Sequence, residues 1–299
     1  MTTAERRTLP PWLKVSLPTG PVVARLKEAS RSRGLATVCE EARCPNLAEC
    51  WGGGTATFMV MGDTCTRGCR FCSVATAVKP PRPDAEEPAK LALTLKEMAV
   101  DYAVLTTVCR DDLPDQGAAH LAECIRAVKK ACPGMKVEML LQDFRGDTAL
   151  LDVVLDARPD VIAHNVECVE RLTASVRDAK AGYKQSLAVL AHAKRHSPKT
   201  PTKTSLMLGL GETETELLQA FDDVRAVGVD IITLGQYLRP TGARHHLPVA
   251  DFIHPDDFKR YGDAARDKGF LYVASGPFVR SSYKAAELFL KGHLETHAS

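Results

Sequence analysis

TFMVMGDTCTRGCRFC, residues 57–72, is the stretch from which the fold is read. It opens as a short apolar run and ends in Cys65, Cys69 and Cys72, spaced by three and then two residues. A strand that leads straight into a cysteine loop reads as the first strand of a parallel sheet, because in such folds the loops after the strands form the active face. Gly62 and Gly68 let the backbone turn tightly, and Arg67 and Arg70 add positive charge beside the thiols. Three soft thiolates suit an iron–sulfur cluster, whereas a structural zinc site requires four closed ligands.

Downstream, strand and helix patterns alternate. YAVLTTV (102–108), KVEMLL (136–141), DVIAHN (160–165), TKTSLMLG (202–209) and DIITLGQY (230–237) are further short apolar runs. Helical spacing fills 86–100, 117–131, 147–157, 178–195 and 213–227, and several of these segments open on Asp or Thr as N-caps. Six such strands with helical crossovers predict an α/β fold, a partial (β/α)6 TIM-like barrel with N-terminal and C-terminal extensions. A helix over 255–268 and the strand FLYVAS (270–275) are expected to close or flank it. The expected division is 1–54, an N-terminal extension; 55–250, the barrel; and 251–299, a C-terminal extension. KPPRPD (79–84) marks a loop and not a domain linker.

The bulk composition excludes several classes. Apolar residues make up 45% of 299, enough for a substantial core, and a net charge of +2 exerts no strong pull on nucleic acid or membrane. No apolar run approaches the roughly 18 residues of a membrane span. MTTAERRTLP (1–10) is too short and polar for a signal peptide, and Pro10-Pro11 breaks a targeting helix, so the chain reads as cytoplasmic and bacterial rather than organellar. Residues 1–33 carry seven Lys or Arg against two Glu, a solvated face or a docking surface for an acidic partner. Ten cysteines in a reducing compartment are not a disulfide framework. Cys109, Cys124, Cys132 and Cys168 are scattered and read as small buried residues. The other six form two triplets, Cys39, Cys44, Cys50 and Cys65, Cys69, Cys72, which point to two clusters, each one ligand short.

The second triplet, with Phe71 just before its last cysteine, resembles the signature of radical S-adenosylmethionine (SAM) enzymes. The first, within CEEARCPNLAECW (39–51), resembles the auxiliary-cluster motif of lipoyl synthases. PPWLKVSLPTG (10–20), RDDLPDQGA (110–118) and GPFVRSSYKA (276–285) agree with that family in order, so the likeness runs from residue 10 to 285. It implies two [4Fe–4S] clusters and SAM. Cys65, Cys69 and Cys72 would hold the cluster that cleaves SAM to methionine and a 5′-deoxyadenosyl radical. Cys39, Cys44 and Cys50 would hold the second, with Ser282 as its fourth ligand, although Ser282 read alone is a helix cap. A hard oxygen donor in a thiolate site suits a cluster that is opened and consumed as sulfur donor. Asn165, which ends DVIAHN, and Glu167, in the VEC that continues it, are expected to hold the ribose hydroxyls or amino group of SAM, and LMLGLGE (206–212) resembles a further contact. His164 reads as packed, and His245-His246 as exposed. Two residues depart from the family pattern, Cys109 for an Asp and Gln142 for a proline, and they bear on local loop shape.

The implied reaction inserts two sulfur atoms, at carbons 6 and 8, into an octanoyl chain carried on a lysine. The implied partners are octanoylated lipoyl carrier domains (the E2 subunit of 2-oxoacid dehydrogenases and the glycine cleavage H protein), a flavodoxin- or ferredoxin-type reductant, and iron–sulfur cluster assembly proteins. Nucleic acid and membrane are not expected. The rival within the superfamily, a methylthiotransferase acting on tRNA, would carry an added RNA-binding domain and a strongly basic surface. A non-catalytic iron–sulfur carrier would have little use for a barrel of this size.

Overall fold

The computed structural model describes residues 9–14, 32–37 and 55–282. Cys39, Cys44, Cys50 and the end of the C-terminal motif from Tyr283 onward lie outside the described residues. In chain order the strands are β1 (Ala36–Thr37), β2 (Thr55–Val60), β3 (Thr64–Cys65), β4 (Ala75–Thr76), β5 (Tyr102–Thr107), β6 (Lys136–Leu140), β7 (Val161–Ala163), β8 (Thr202–Leu208), β9 (Ile231–Gln236) and β10 (Tyr272–Gly276). The helices are α1 (Glu87–Met98), α2 (Ala118–Ala131), α3 (Thr148–Leu155), α4 (Thr173–Val176), α5 (Tyr183–His196), α6 (Glu214–Ala226) and α7 (Pro255–Asp267).

One sheet carries the fold in the order β1-β2-β5-β6-β7-β8-β9-β10, and β3 and β4 form a separate parallel ribbon. From β2 to β10 every pairing is parallel, and only β1 runs antiparallel, against β2. Spatial order follows chain order and a helix bridges each parallel step, which is the winding of a (β/α) barrel. Among the described residues the ladder ends at β1 and β10 without closing. All six expected strands are present, and the 270–275 run supplies a seventh. It pairs with β9 from Tyr272↔Ile231 to Gly276↔Gly235, extending the sheet rather than closing it.

The period of each element sets its buried face. Helix α2 buries Leu121, Ala122, Ile125 and Val128 at helical spacing. On β5, Ala103 and Leu105 join the helix-side core while Tyr102 and Val104 face inward with Val161 and Ile231. The inner floor also holds a buried ion pair: Lys203 Nζ lies 2.9 and 3.0 Å from the Glu138 carboxylate oxygens, and Tyr102 Oη donates to Glu138 at 2.8 Å. Buried side chains and this ion pair therefore fill the floor at the start of the strands.

Caps explain the helix starts. Thr213 and Glu216 form a reciprocal capping box on α6, and Asp147 caps α3. Helix α5 begins at Tyr183, five residues later than the spacing of 178–195 predicts, because Asp178 is used elsewhere (below). Glu87 at the start of α1 accepts from Met61 N at 2.8 Å and pairs with His120 of α2 at 2.6 Å, beside buried Cys124. These three side chains are the only His/Cys/Asp/Glu trio with ligand atoms within 4.8 Å of one another among the described residues. Hydrogen bonds already occupy the glutamate, so the trio is a joint tying α1 and α2 to the turn after β2. Among the described residues no helix is long and apolar enough to cross a membrane.

Candidate active site

A cavity of about 530 Å³ opens at the C-terminal ends of the strands. It is lined by Cys65, Cys69, Phe71 and Cys72 from the loop after β2, by Asn165 and Glu167 after β7, and by Ser281 and Ser282 from the C-terminal segment. Every described residue that the sequence singles out for the chemistry thus faces one space.

The cysteine loop is pinned from four sides. Thr66 N and Thr66 Oγ1 donate to Cys109 O at 3.0 and 2.9 Å. Arg67 is 4% exposed and forks onto Asp111 at 2.8 and 3.0 Å, with its third nitrogen on Asp143 at 2.7 Å. Gly68 N donates to Asp178 Oδ2 at 2.9 Å, and Asp178 N to Cys69 Sγ at 3.4 Å, which is why Asp178 does not cap α5. His246 contacts Cys72 O through Nε2 at 2.9 Å and Thr241 Oγ1 through Nδ1 at 2.8 Å.

These contacts correct two expectations. The charge on Arg67 is neutralised by two carboxylates, so the residue acts as a strut. Burial pushes the Asp111 carboxyl upward, but the hydrogen bonds and charge of Arg67 outweigh it and hold the group well below the usual carboxylate range. His246 is buried and only His245 is exposed, because the 241–247 loop folds onto the cysteine loop: Leu247 N donates to Arg70 O and Arg70 Nε to His245 O. His164 is packed as expected. Its Nδ1–H donates to Leu141 O and its Nε2 accepts from Ser186 Oγ, both at 2.9 Å, and burial lowers its pKa to about 4, keeping the ring neutral.

The strand expected over 160–165 stops at Ala163 and re-pairs at Glu167, which bridges to Leu206 with φ of 74°. That break turns Asn165 and Glu167 into the cavity. Burial raises the Glu167 carboxyl, and Asn165 donates to it while leaving its own Oδ1 buried without a partner. An orphan acceptor beside a carboxylate suits a ligand rich in N–H and O–H donors. Leu206 and Met207 of LMLGLGE line the cavity, and Gly209 lets the strand end pack closely, since a Cβ there would overlap the carbonyl of Asp251. The C-terminal segment reaches the cavity because Gly235 of β9 has no side chain; a Cβ there would overlap the carbonyl oxygen of Val279.

The donor set discriminates between metals. The sulfurs of Cys65, Cys69 and Cys72 do not all lie within 4.8 Å of one another. A single tetrahedral ion with Zn–S of about 2.3 Å would draw its thiolates to within about 4 Å. Three thiols spread around a larger space fit a multi-iron cluster, in which each sulfur binds a different iron. Cys65 is the most readily ionised: its hydrogen bond with the Cys109 thiol, then the backbone N–H groups of Arg67 and Cys109, bring its pKa down to about 6. Burial pushes Cys69 up to about 11 and also raises Cys72. Cys124 and Cys168 are buried as expected, whereas Cys109 lines the cavity beside Cys65.

Comparison with known proteins agrees with this architecture. The family model described as the radical SAM superfamily matches residues 59–224, and that of the N-terminal domain of lipoyl synthase matches 1–44. A lipoyl synthase of Anaeromyxobacter dehalogenans is 56% identical over 287 residues, covering 96% of this chain and 97% of its own. The mitochondrial lipoyl synthase of Culex quinquefasciatus is 52% identical over 99% of this chain and 78% of its own. Among solved structures, HydG, a maturase of the [FeFe]-hydrogenase, superposes with a TM-score of 0.59 at 14% identity, covering 83% of this chain and 55% of that one, a likeness of fold. The chain belongs to the lipoyl synthase family of radical SAM enzymes.

Proposed function

We propose that this protein inserts sulfur at carbons 6 and 8 of an octanoyl chain borne on a lysine of a lipoyl carrier domain. The observation that carries the reading is the meeting in one cavity of Cys65, Cys69 and Cys72 with Ser282. In this reading the three cysteines hold a [4Fe–4S] cluster with one iron left for SAM. Cys39, Cys44, Cys50 and Ser282 hold the second cluster, within the N-terminal extension (1–54) and the C-terminal extension (251–299) beside the barrel (55–250), the latter extension also supplying β10 to its sheet. When bound, these groups supply a radical able to take hydrogen from an unactivated carbon, and sulfide to replace it.

The chain's own residues bind, orient and exclude water. Asn165 and Glu167 receive the donor groups of SAM, and Phe71 packs beside it. Met59, Val108, Leu140, Leu206, Met207 and Leu238 give the cavity apolar walls, which suit an alkyl chain and keep bulk water from a reactive radical. Ser282 offers an oxygen that a sulfur-consuming step releases more readily than a thiolate. The E2 subunit of 2-oxoacid dehydrogenases and the glycine cleavage H protein would present the substrate. A flavodoxin- or ferredoxin-type protein would deliver electrons, and assembly proteins would restore the spent cluster, in the cytoplasm.

The test is an anaerobic assay of the reconstituted enzyme with an octanoyl-lysine peptide, SAM and a reductant. The dithiol product is expected, together with about eight irons per chain if both clusters are cubane. Cys39→Ala should still form 5′-deoxyadenosine without any sulfur-containing product. A fully loaded enzyme that leaves the octanoyl chain unmodified would sink the reading.

A further inference from the structure

Beside the cysteine loop lies a second groove, of about 1010 Å³. Thr66 lines it, while its neighbours Cys65 and Arg67 line the cavity described above, and the two spaces share no lining residue. The loop that carries Cys65 is therefore the wall between them. The proline-rich run KPPRPD (79–84) forms another part of the groove. It is tied to the cysteine loop through Ala77 N, which donates to Cys65 O at 3.0 Å, and to the loop after β5 through Arg110 Nη2, 3.5 Å from Pro80 O.

The groove is lined by four cations, Lys79, Arg82, Arg110 and Lys180, against the carboxylates Asp111 and Asp112. Both carboxylates are already engaged, Asp111 by Arg67 at 2.8 Å and Asp112 by Arg110 at 2.9 Å. Lys79 and Arg82 are exposed and make no ion pair among the described residues. Arg110 is wholly buried, and its Nη1 has no hydrogen-bond partner among them. Nearby, Asp84 and Glu86 share Lys90. Val78 adds an apolar side chain that is 86% exposed.

We infer that this groove is the docking surface for the protein that reduces the cluster on Cys65, Cys69 and Cys72, and that it receives a carboxylate-rich face of that donor. This rests on the proposed role of those three cysteines. The step takes one electron from the donor and adds one to the cluster, so no bond forms and no atom crosses the wall. An electron passes through a wall one residue thick, whereas an octanoyl chain does not. None of the residues that give the main cavity its apolar walls lines the groove, so the carrier domain must open onto the other space. Free cations and an unanswered guanidinium N–H in the wall favour an anionic occupant. Charges around a small apolar contact suit an encounter that is steered by charge, weakened by salt and quick to dissolve after each electron. The prolines at 80, 81 and 83 fix much of the loop's backbone, which lowers the ordering cost of docking.

The test uses the holoenzyme with both clusters, as wild type and as the double charge reversal Lys79→Glu, Arg82→Glu, with a bacterial flavodoxin of net negative charge as the probe. Calorimetric titration at low ionic strength measures its affinity. Formation of 5′-deoxyadenosine is followed with reduced flavodoxin and, separately, with dithionite. The double variant should bind flavodoxin about tenfold more weakly, and its half-saturating flavodoxin concentration should rise by a similar factor. Added salt should weaken the wild-type complex much more than that of the variant. Iron content and the dithionite-driven rate should stay as in the wild type. Unchanged flavodoxin affinity in the double variant overturns the inference. So does a weakened affinity for an octanoylated carrier domain with flavodoxin binding intact, which would make the groove the carrier's site. A wild type with full iron that forms no 5′-deoxyadenosine with dithionite would instead overturn the proposed role of the three cysteines, and this inference with it.

Discussion

Two histidines show how single residues are committed here. His246 pins Cys72 through its carbonyl and Thr241 through its hydroxyl. His246→Ala should cost about 1–2 kcal/mol by leaving a buried carbonyl unpaired. It should also speed the loss of iron to a chelator; unchanged release kinetics would show that the loop is held without it. His164 is neutral because burial depresses its pKa from 6.5 to about 4. The unfolded chain takes up a proton in that interval and the folded one does not. The stabilising preference for the neutral ring is thus complete above pH 6.5 and is lost as pH falls toward 4, up to roughly 3 kcal/mol. Urea unfolding of wild type and His164→Gln across that range tests this. The variant should lose one proton's worth of slope, and parallel curves would refute it.

At the scale of elements, the strands aim the chemistry and their irregularities refine it. Strand β7 stops after three residues and re-pairs at Glu167, and helix α5 starts late because Asp178 serves the cysteine loop. Gly235 on β9 admits the C-terminal segment. In Gly235→Ala the added methyl meets a backbone carbonyl, which cannot swing aside as a flexible side chain would. The expected outcome is displacement of residues 277–282, with sulfur insertion falling far more than 5′-deoxyadenosine formation. Equal losses of both would mean that the segment also shapes the SAM site.

At the scale of the whole molecule, the described residues form a parallel, barrel-like sheet with a filled floor and a cavity at the C-terminal ends of its strands. The floor's Lys203–Glu138 pair is almost wholly buried, with side-chain exposures of 1% and 0%. Lys203→Ala strands the carboxylate and should cost about 3–5 kcal/mol. The double variant Lys203→Met, Glu138→Leu removes both charges and should cost much less, with Tyr102 Oη left as the group to satisfy. Denaturant midpoints of the two variants decide the matter; similar losses would show that shape, not charge, matters in the floor.

The strand and helix pattern, the parallel winding and the cysteine loop at the active face are legible in the chain before it folds, because each is a matter of short-range spacing. Near-continuous apolar runs, Asp and Thr caps and close cysteine intervals all act within a few residues. The tertiary structure alone decided that Arg67 is spent on Asp111 and Asp143, that Asp178 and His246 hold the loop, and that Cys109 lies against Cys65. Those contacts join residues as far as 174 positions apart, and no local period encodes them. A buried polar group must find its partner wherever the fold places one, so only packing reveals which partner it takes.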